Sequence, residues 1–155
     1  MIDAHTERMM KVIRKAEARD LAAGLELAAL LWPGHSGEEL AEEFGELISD
    51  PKAAIFLAFQ AGQAVGFAQC QLRQDYVEGT DSSPVGYLEG IYVREAHRGR
   101  GLARELVRHC EDFARAQGCR QFASDCTLSN TQSLRFHLAT GFREAGRIIC
   151  FVKEL

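Results

Sequence analysis

The sequence contains no Cys-x-x-Cys pair, no histidine at ligand spacing from a cysteine, no internal repeat, no linker-like or biased segment, and no long uncharged apolar run. Each absence removes a class. A disulfide scaffold and a structural metal site are not expected. The longest uncharged apolar stretch, near Ala53 to Phe59, falls far short of the roughly 20 residues that cross a bilayer. The N-terminus, beginning Met1-Ile2-Asp3-Ala4-His5, lacks the apolar core of a signal peptide. Basic residues are also outnumbered. Eighteen Lys plus Arg against 22 Asp plus Glu give a formal net charge of −4, which disfavours nucleic acid and anionic membranes and suits a cationic partner. Cys70, Cys110, Cys119, Cys126 and Cys150 all fall in apolar stretches, so a cytoplasmic, unprocessed protein with reduced, packed thiols is expected.

What remains is ordinary globular material. The 155 residues, 46% hydrophobic and 26% charged, fit one domain over 1–155. Val12 and Ile13 suggest a short first strand, and Leu21, Leu25, Ala28 and Leu31 mark a helix from about Asp20 to Trp32, stopped by Pro33-Gly34. Ser36 with Glu39 is a capping box that opens a second helix through Leu40, Phe44, Leu47 and Ile48. Two helices are therefore expected before the main sheet. Ala54 to Phe59 and Val65 to Leu72 read as an antiparallel hairpin, followed by a loop from Gln74 to Pro84 and a strand from Val85 to Val93. Leu102, Leu106, Cys110 and Phe113 mark a long amphipathic helix ending at Gly118. A strand over Phe122 to Cys126, a short helix over Asn130 to Ala139 and a last strand over Ile148 to Val152 complete the order. The unit from Val85 to Cys126 should be a right-handed parallel crossover in an otherwise antiparallel sheet, giving an α+β (mixed α/β) fold.

His97-Arg98-Gly99-Arg100-Gly101-Leu102-Ala103 lies between a strand and a long helix, where unpaired amides and the positive helix end converge. Such a turn suits phosphate, and Arg98 and Arg100 add charge-assisted donors; a plain glycine turn with solvated arginines is the alternative. No P-loop occurs in the chain, and Arg104 stands where the dinucleotide fingerprint has its third glycine.

Arg98-x-x-Gly101-x-Ala103 after a Val-ended strand, followed by Asn130 and Gly141-Phe142, resembles the GCN5-related N-acetyltransferase superfamily over most of the chain. The resemblance implies a sheet whose central parallel strands splay apart, with acetyl coenzyme A as co-substrate. It implies that the amides of the turn, Arg98, Gly99, Arg100, Gly101, Leu102, Ala103 and Arg104, bind the pyrophosphate. Ile91, Tyr92 and Val93 would pair with the pantetheine arm as an added strand, and Asn130 would contact that arm.

Acetyl transfer to an amine needs a free nitrogen lone pair, stabilisation of an oxyanion and a proton for the thiolate. Glu89 in an apolar strand and Asp125 at the matching end of the next are candidate acidic groups; each has the alternative of an outward-facing strand position. Asp75, Glu78 and Asp81 in the loop, and Glu38, Glu39, Glu42 and Glu43 on the second helix, add negative charge suited to a polyamine. Trp32 and Tyr76 are candidates for stacking on a cyclic ligand, and the single Trp equally suits the core.

Leu31-Trp32-Pro33-Gly34-His35, the stretch from Asp75-Tyr76-Val77 to Asp81-Ser82-Ser83-Pro84, Leu88-Glu89-Gly90-Ile91 and Ala123-Ser124-Asp125 are similar, in that order, to aminoglycoside 6′-N-acetyltransferases. That resemblance assigns Trp32, Tyr76, Glu89 and Asp125 to the aminoglycoside pocket and implies antibiotic resistance and a homodimer, in some relatives with exchanged C-terminal strands. Two positions depart from the pattern. Gly146 stands where relatives can carry a substrate-binding glutamate, with Glu144 two residues out of register, and His137 stands where many superfamily members have the tyrosine that protonates the thiolate. His137 is thus a catalytic candidate beside its alternative as a packed helix-face residue, with Tyr92 as a second candidate donor.

The expected mechanism is direct attack in a ternary complex: Glu89 accepts the ammonium proton directly or through a water, Asp125 orients the amine and the Val93 N–H polarises the thioester carbonyl. A nucleophilic Cys126 is the disfavoured route. Two other functions fit the same residues: acetyl transfer to another amine (polyamine, amino sugar or peptide), and non-catalytic binding of an acyl coenzyme A.

Overall fold

The computed structural model describes residue 1 and residues 3–155. Its elements are α1 (Ala4–Met9), β1 (Lys11–Lys15), α2 (Leu21–Leu31), α3 (Gly37–Ser49), β2 (Ala53–Gln60), β3 (Gln63–Arg73), β4 (Val85–Val93), α4 (Leu102–Ala116), β5 (Phe122–Ser124) and α5 (Thr131–Ala139). The capping box of α3 forms as expected, with Ser36 Oγ accepting the Glu39 N–H and Glu39 reaching back to the Ser36 N–H.

The five strands lie in the order β1-β2-β3-β4-β5, antiparallel except for the parallel pair β4–β5. Successive residues of β2 go to opposite faces, and both faces are buried. Ala54, Phe56 and Ala58 join the cluster built with Leu102, Leu106 and Cys110 of α4, whereas Ala53, Ile55 and Leu57 join Leu27, Leu40 and Phe44 of α2 and α3. The sheet is therefore the middle of three layers, which is why its strands read as continuous apolar runs rather than alternating ones. A smaller cluster, Val77, Val85 and Tyr87, sits under the loop that joins β3 to β4.

Four expectations are corrected. A third helix, α1, also precedes the main sheet. The strand expected through Cys126 ends at Ser124, after three paired residues. Ile148 to Val152 is not a strand: apolar alternation makes a strand only with a neighbour to bond, and this segment lies outside the sheet, with Phe151 and Val152 about 90% exposed. Cys126 and Cys150 are accordingly exposed, while Cys70, Cys110 and Cys119 are buried; all five are free thiols.

Candidate active site

The site begins where two strands part. β5 pairs with β4 only at Gly86, Tyr87 and Leu88, whereas β4 runs on to Val93. Beyond Leu88 one edge of β4 has lost its neighbour. The Arg94 N–H donates to the Val65 carbonyl at 2.7 Å, and the register sets Tyr92 opposite Phe67. By the alternation of an antiparallel ladder, Arg94 and Tyr92 turn their backbone groups to β3, so Ile91 and Val93 turn theirs to the open edge. The Val93 carbonyl there accepts Nε of Arg98 at 2.8 Å. Tyr92 differs from its two neighbours: its backbone belongs to the β3 ladder and its ring lies 5.3 Å from the Arg98 guanidinium.

β4 leads through a short 3-10 turn, Glu95–His97, into Gly99 at φ 77° and Gly101 at φ 81°, left-handed values that glycine adopts without strain. α4 starts immediately after. Its first internal bond is Glu105 N–H to the Gly101 carbonyl at 3.1 Å, so the amides of Leu102, Ala103 and Arg104 precede it and have no helical acceptor. A cleft of about 230 Å³ runs from Val93 and this turn to Phe136, Ala139 and Thr140 of α5. Arg104 forms part of its wall by donating to the Ala139 carbonyl at 2.8 Å. Arg98 is held back against β4, and Arg100 is exposed. Asn130 caps α5, its Oδ1 accepting the Ser133 N–H at 3.1 Å. His97, which the sequence did not single out, also lines the cleft, and its Nδ1 is buried without a partner.

The acidic side lies on the sheet face that carries α2 and α3. Gln69 pairs with Gly90 and Cys70 with Leu88, so Glu89 is the extra residue of a β-bulge. Its carboxylate is bound by Arg73, with Nε at 3.1 Å and Nη2 at 2.9 Å from Oε1 and Nη2 at 2.9 Å from Oε2. Burial pushes the Glu89 carboxyl above its ordinary pKa; Arg73 opposes this, while Asp125 and Glu43 reinforce it. The Arg73 guanidinium also lies 3.4 Å from the centre of the Tyr87 ring, and the Tyr87 hydroxyl donates to Asp125. Burial first, then the Asp125 carboxylate, push the Tyr87 phenol strongly upward, so it stays a proton-bearing donor.

Trp32 is fixed beside the bulge. A Cβ built on Gly90 would come within 2.6 Å of its ring, and the ring itself packs edge-on against Phe67 at 5.9 Å. Trp32 thus packs against the core and lies beside the bulge that carries Glu89. Tyr76, 77% exposed on the loop, is not drawn into this group. A Cβ on Gly146 would lie 3.4 Å from Glu78 Oε1, so a loop carboxylate stands beside Gly146.

His137 lies at the fork. Its Nδ1 is 2.7 Å from the Ser133 carbonyl, which only accepts, so Nδ1 carries a proton; its Nε2 is 2.8 Å from Ser124 Oγ. The same hydroxyl reaches the Leu88 carbonyl at 3.0 Å. The sequence reading missed Arg73, Tyr87 and Ser124. Tyr87 could have been found as the residue two before Glu89 on one strand, and Arg73 as a cation ending the strand that pairs diagonally with it. Among the described residues, no three His, Cys, Asp or Glu side chains gather as metal ligands, and no helix is long and apolar enough to cross a membrane.

Residues 21–142 match the acetyltransferase (GNAT) family. Among curated proteins, the aminoglycoside N(6′)-acetyltransferase type 1 of Stenotrophomonas maltophilia is 42% identical over 140 residues, covering 90% of each chain. The protein of the same name from Serratia marcescens is 41% identical over 88% of this chain and 94% of its own. Among solved structures, AAC(6′)-Iy in complex with the bisubstrate analogue CoA-S-monomethyl-acetylneamine superposes with a TM-score of 0.90 at 38% identity, covering 94% of this chain and 99% of that one. The parted strands, the glycine turn at a helix start and these likenesses agree: the chain belongs to the acetyltransferase (GNAT) family.

Proposed function

We infer that this chain transfers the acetyl group of acetyl coenzyme A to the 6′-amine of an aminoglycoside, the activity named for its relatives, and so gives resistance to such antibiotics. The observation that carries the reading is the wired carboxylate pair, Glu89 and Asp125, set beside the unpaired edge of β4. That edge and the α4 start supply N–H donors; the fork supplies acceptors for a polycation.

In this reading the open backbone groups of Ile91 and Val93 hold the pantetheine arm, with Tyr92 bracing Arg98 behind them. The amides from Gly99 to Arg104 receive the pyrophosphate, Arg98 and Arg100 add charge, and Asn130 borders the arm. Trp32 and Tyr76 flank the sugar rings, and Glu78 supplies acidity beside Gly146. Glu89 accepts a proton from the 6′-ammonium; the neutral nitrogen attacks the thioester carbonyl, whose oxygen the Val93 N–H stabilises while Asp125 orients the amine. The nitrogen, cationic after its attack, passes its second proton through the Ser124 hydroxyl to the bare Nε2 of His137; the C–S bond breaks, and the same relay returns that proton to the thiolate. All five thiols are free and two are exposed, which fits a reducing cytoplasm. We read 1–155 as one catalytic domain that works as a homodimer, its exposed tail from Ile148 to Val152 adding to the edge of β5 in a second copy.

The test is release of coenzyme thiol by the purified chain with aminoglycosides bearing either an amine or a hydroxyl at the 6′ position. Turnover is expected with 6′-amino compounds alone. Glu89→Gln should lower it by about 10²-fold or more, the usual contribution of a general base, while Cys126→Ala retains it. Activity confined to other amines, or coenzyme binding without thiol release, would sink the reading, and the reverse response of the two variants would sink the ternary-complex mechanism.

A further inference from the structure

Glu89 stands on β4 and Asp125 just past the end of β5, where the two strands part, so no ladder hydrogen bond sets their separation. A side chain from a third strand does. Arg73, the last residue of β3, grips both oxygens of Glu89, lies flat on Tyr87 at 3.4 Å, and Tyr87 in turn donates to Asp125. The four groups form one continuous chain across the fork. An arginine stacked on an aromatic ring has given up much of its rotamer freedom before it meets the carboxylate, and its planar fork fits two oxygens at once.

The contacts leave a defined remainder. A carboxylate offers about four acceptor places. Arg73 takes two on Oε1 and one on Oε2 of Glu89, and Tyr87 takes one on Oδ2 of Asp125, so Oε2 and Oδ1 keep places for an amine. We propose that Arg73 is the positioning residue of the acceptor site, aiming one Glu89 oxygen at the amine and, through Tyr87, fixing its spacing from Asp125. This rests on the reading of Glu89 as the base.

The electrostatics run the same way. The charged and titratable groups around Glu89 are Arg73 from β3, Tyr87 on β4, Asp125 after β5 and Glu43 from α3. Of these only Arg73 is cationic. Without it, a carboxylate with 20% side-chain exposure faces two others and takes up a proton at higher pH. A different role is conceivable for a cation at this place, that of a plug standing in for the substrate's ammonium. A plug predicts the opposite result, because its removal would lower KM.

The experiment compares wild type, Arg73→Gln and Arg73→Lys across roughly pH 5 to 9, reading kcat, KM and, by ¹³C NMR, the titration of the Glu89 carboxyl assigned with Glu89→Gln. Arg73→Gln should move both the acidic limb of kcat/KM and the Glu89 midpoint upward by about one pH unit. It should also lower kcat at least tenfold, with a smaller change in KM. Arg73→Lys should restore the limb but only part of kcat, since an ammonium neither grips both oxygens nor lies flat on Tyr87. An unmoved limb and midpoint, or a fall in KM with kcat unchanged, would overturn the proposal. Should Glu89→Gln keep full turnover, the base assignment fails, while the carboxyl titration in Arg73→Gln still judges the hold of Arg73 on Glu89.

Discussion

Gly90 is where core packing meets the proposed acceptor site, and Gly90→Ala tests that junction with one methyl group. The added Cβ would lie 2.6 and 2.7 Å from two atoms of the Trp32 ring and 3.2 Å from Leu31 Cδ2. Neither neighbour yields easily. Trp32 packs edge-on against Phe67 at 5.9 Å, and Phe67 packs against Phe44 at 5.8 Å, so the ring moves only by loosening a chain of aromatics that reaches into α3. Overpacking of this kind costs about 1–3 kcal/mol, which for a domain of this length lowers Tm by roughly 2–12 °C. The functional effect should fall on one substrate. Displacing Trp32 reshapes the wall beside Glu89, raising KM for the aminoglycoside, whereas the turn from Gly99 to Arg104 is untouched and calorimetric affinity for coenzyme A stays at the wild-type value. Trp32→Phe in the Gly90→Ala background supplies room, so the double variant should recover stability relative to the sum of the single changes by about 0.5 kcal/mol or more. Wild-type Tm and KM in Gly90→Ala, or strict additivity in the pair, would refute the argument that Gly90 exists to admit the Trp32 ring.

Two further outcomes follow from other parts of the molecule. Arg14 grips Asp20 at 2.7 and 2.8 Å, and the Glu17 N–H adds a bond at 2.8 Å, holding the carboxyl at about 2 instead of 3.8. Because the folded value is depressed, the stabilisation is present above the unfolded value and is lost as pH falls through the folded one. Urea melts should therefore show Asp20→Asn weaker than wild type by about 1–2 kcal/mol at neutral pH, with the gap closing between about pH 4 and 2; a pH-independent gap would contradict the ion pair's role. For assembly, light scattering should give a dimer for the full chain and a monomer for a chain ending at Gly146, since Ile148, Ile149, Phe151 and Val152 are 77–91% exposed. A full-length monomer at micromolar concentration would remove the strand-exchange proposal.

Periodicity located the elements well, because α3, α4 and β2 to β4 bury wide apolar faces that leave their mark at spacing 3.6 or as unbroken runs. It misjudged Ile148 to Val152 for a physical reason: alternation reports the wish for a buried face, and the face in question finds no cover inside this chain. Of the candidate site, the turn was legible as two glycines between a strand and a helix, and both take positive φ. Glu89 was legible as a charge in an apolar strand and Asp125 as one at the end of the next, where the strand proves to stop at Ser124. Their wiring was not, because Arg73 meets Glu89 across 16 positions and Ser124 meets His137 across 13, and such contacts depend on register rather than on local pattern.

The bulge at Glu89 joins these threads. A regular ladder would pair residue 89 of β4 with β3 and keep its alternation; the extra residue breaks the pairing between Gln69 opposite Gly90 and Cys70 opposite Leu88. Three consequences meet there. Glu89 is released toward Arg73, and Gly90 lies directly under Trp32. The residues beyond, Ile91 and Val93, turn their backbone groups to the edge that β5 has just left, where Arg98 holds the Val93 carbonyl. A bulge bends and twists its strand, and this one lies directly after Leu88, the last residue of β4 that β5 pairs. One inserted residue thus accounts for the position of Glu89, the seat of the Trp32 ring and the setting of both against the open edge of β4, and a deletion that restored regular pairing should remove all three together.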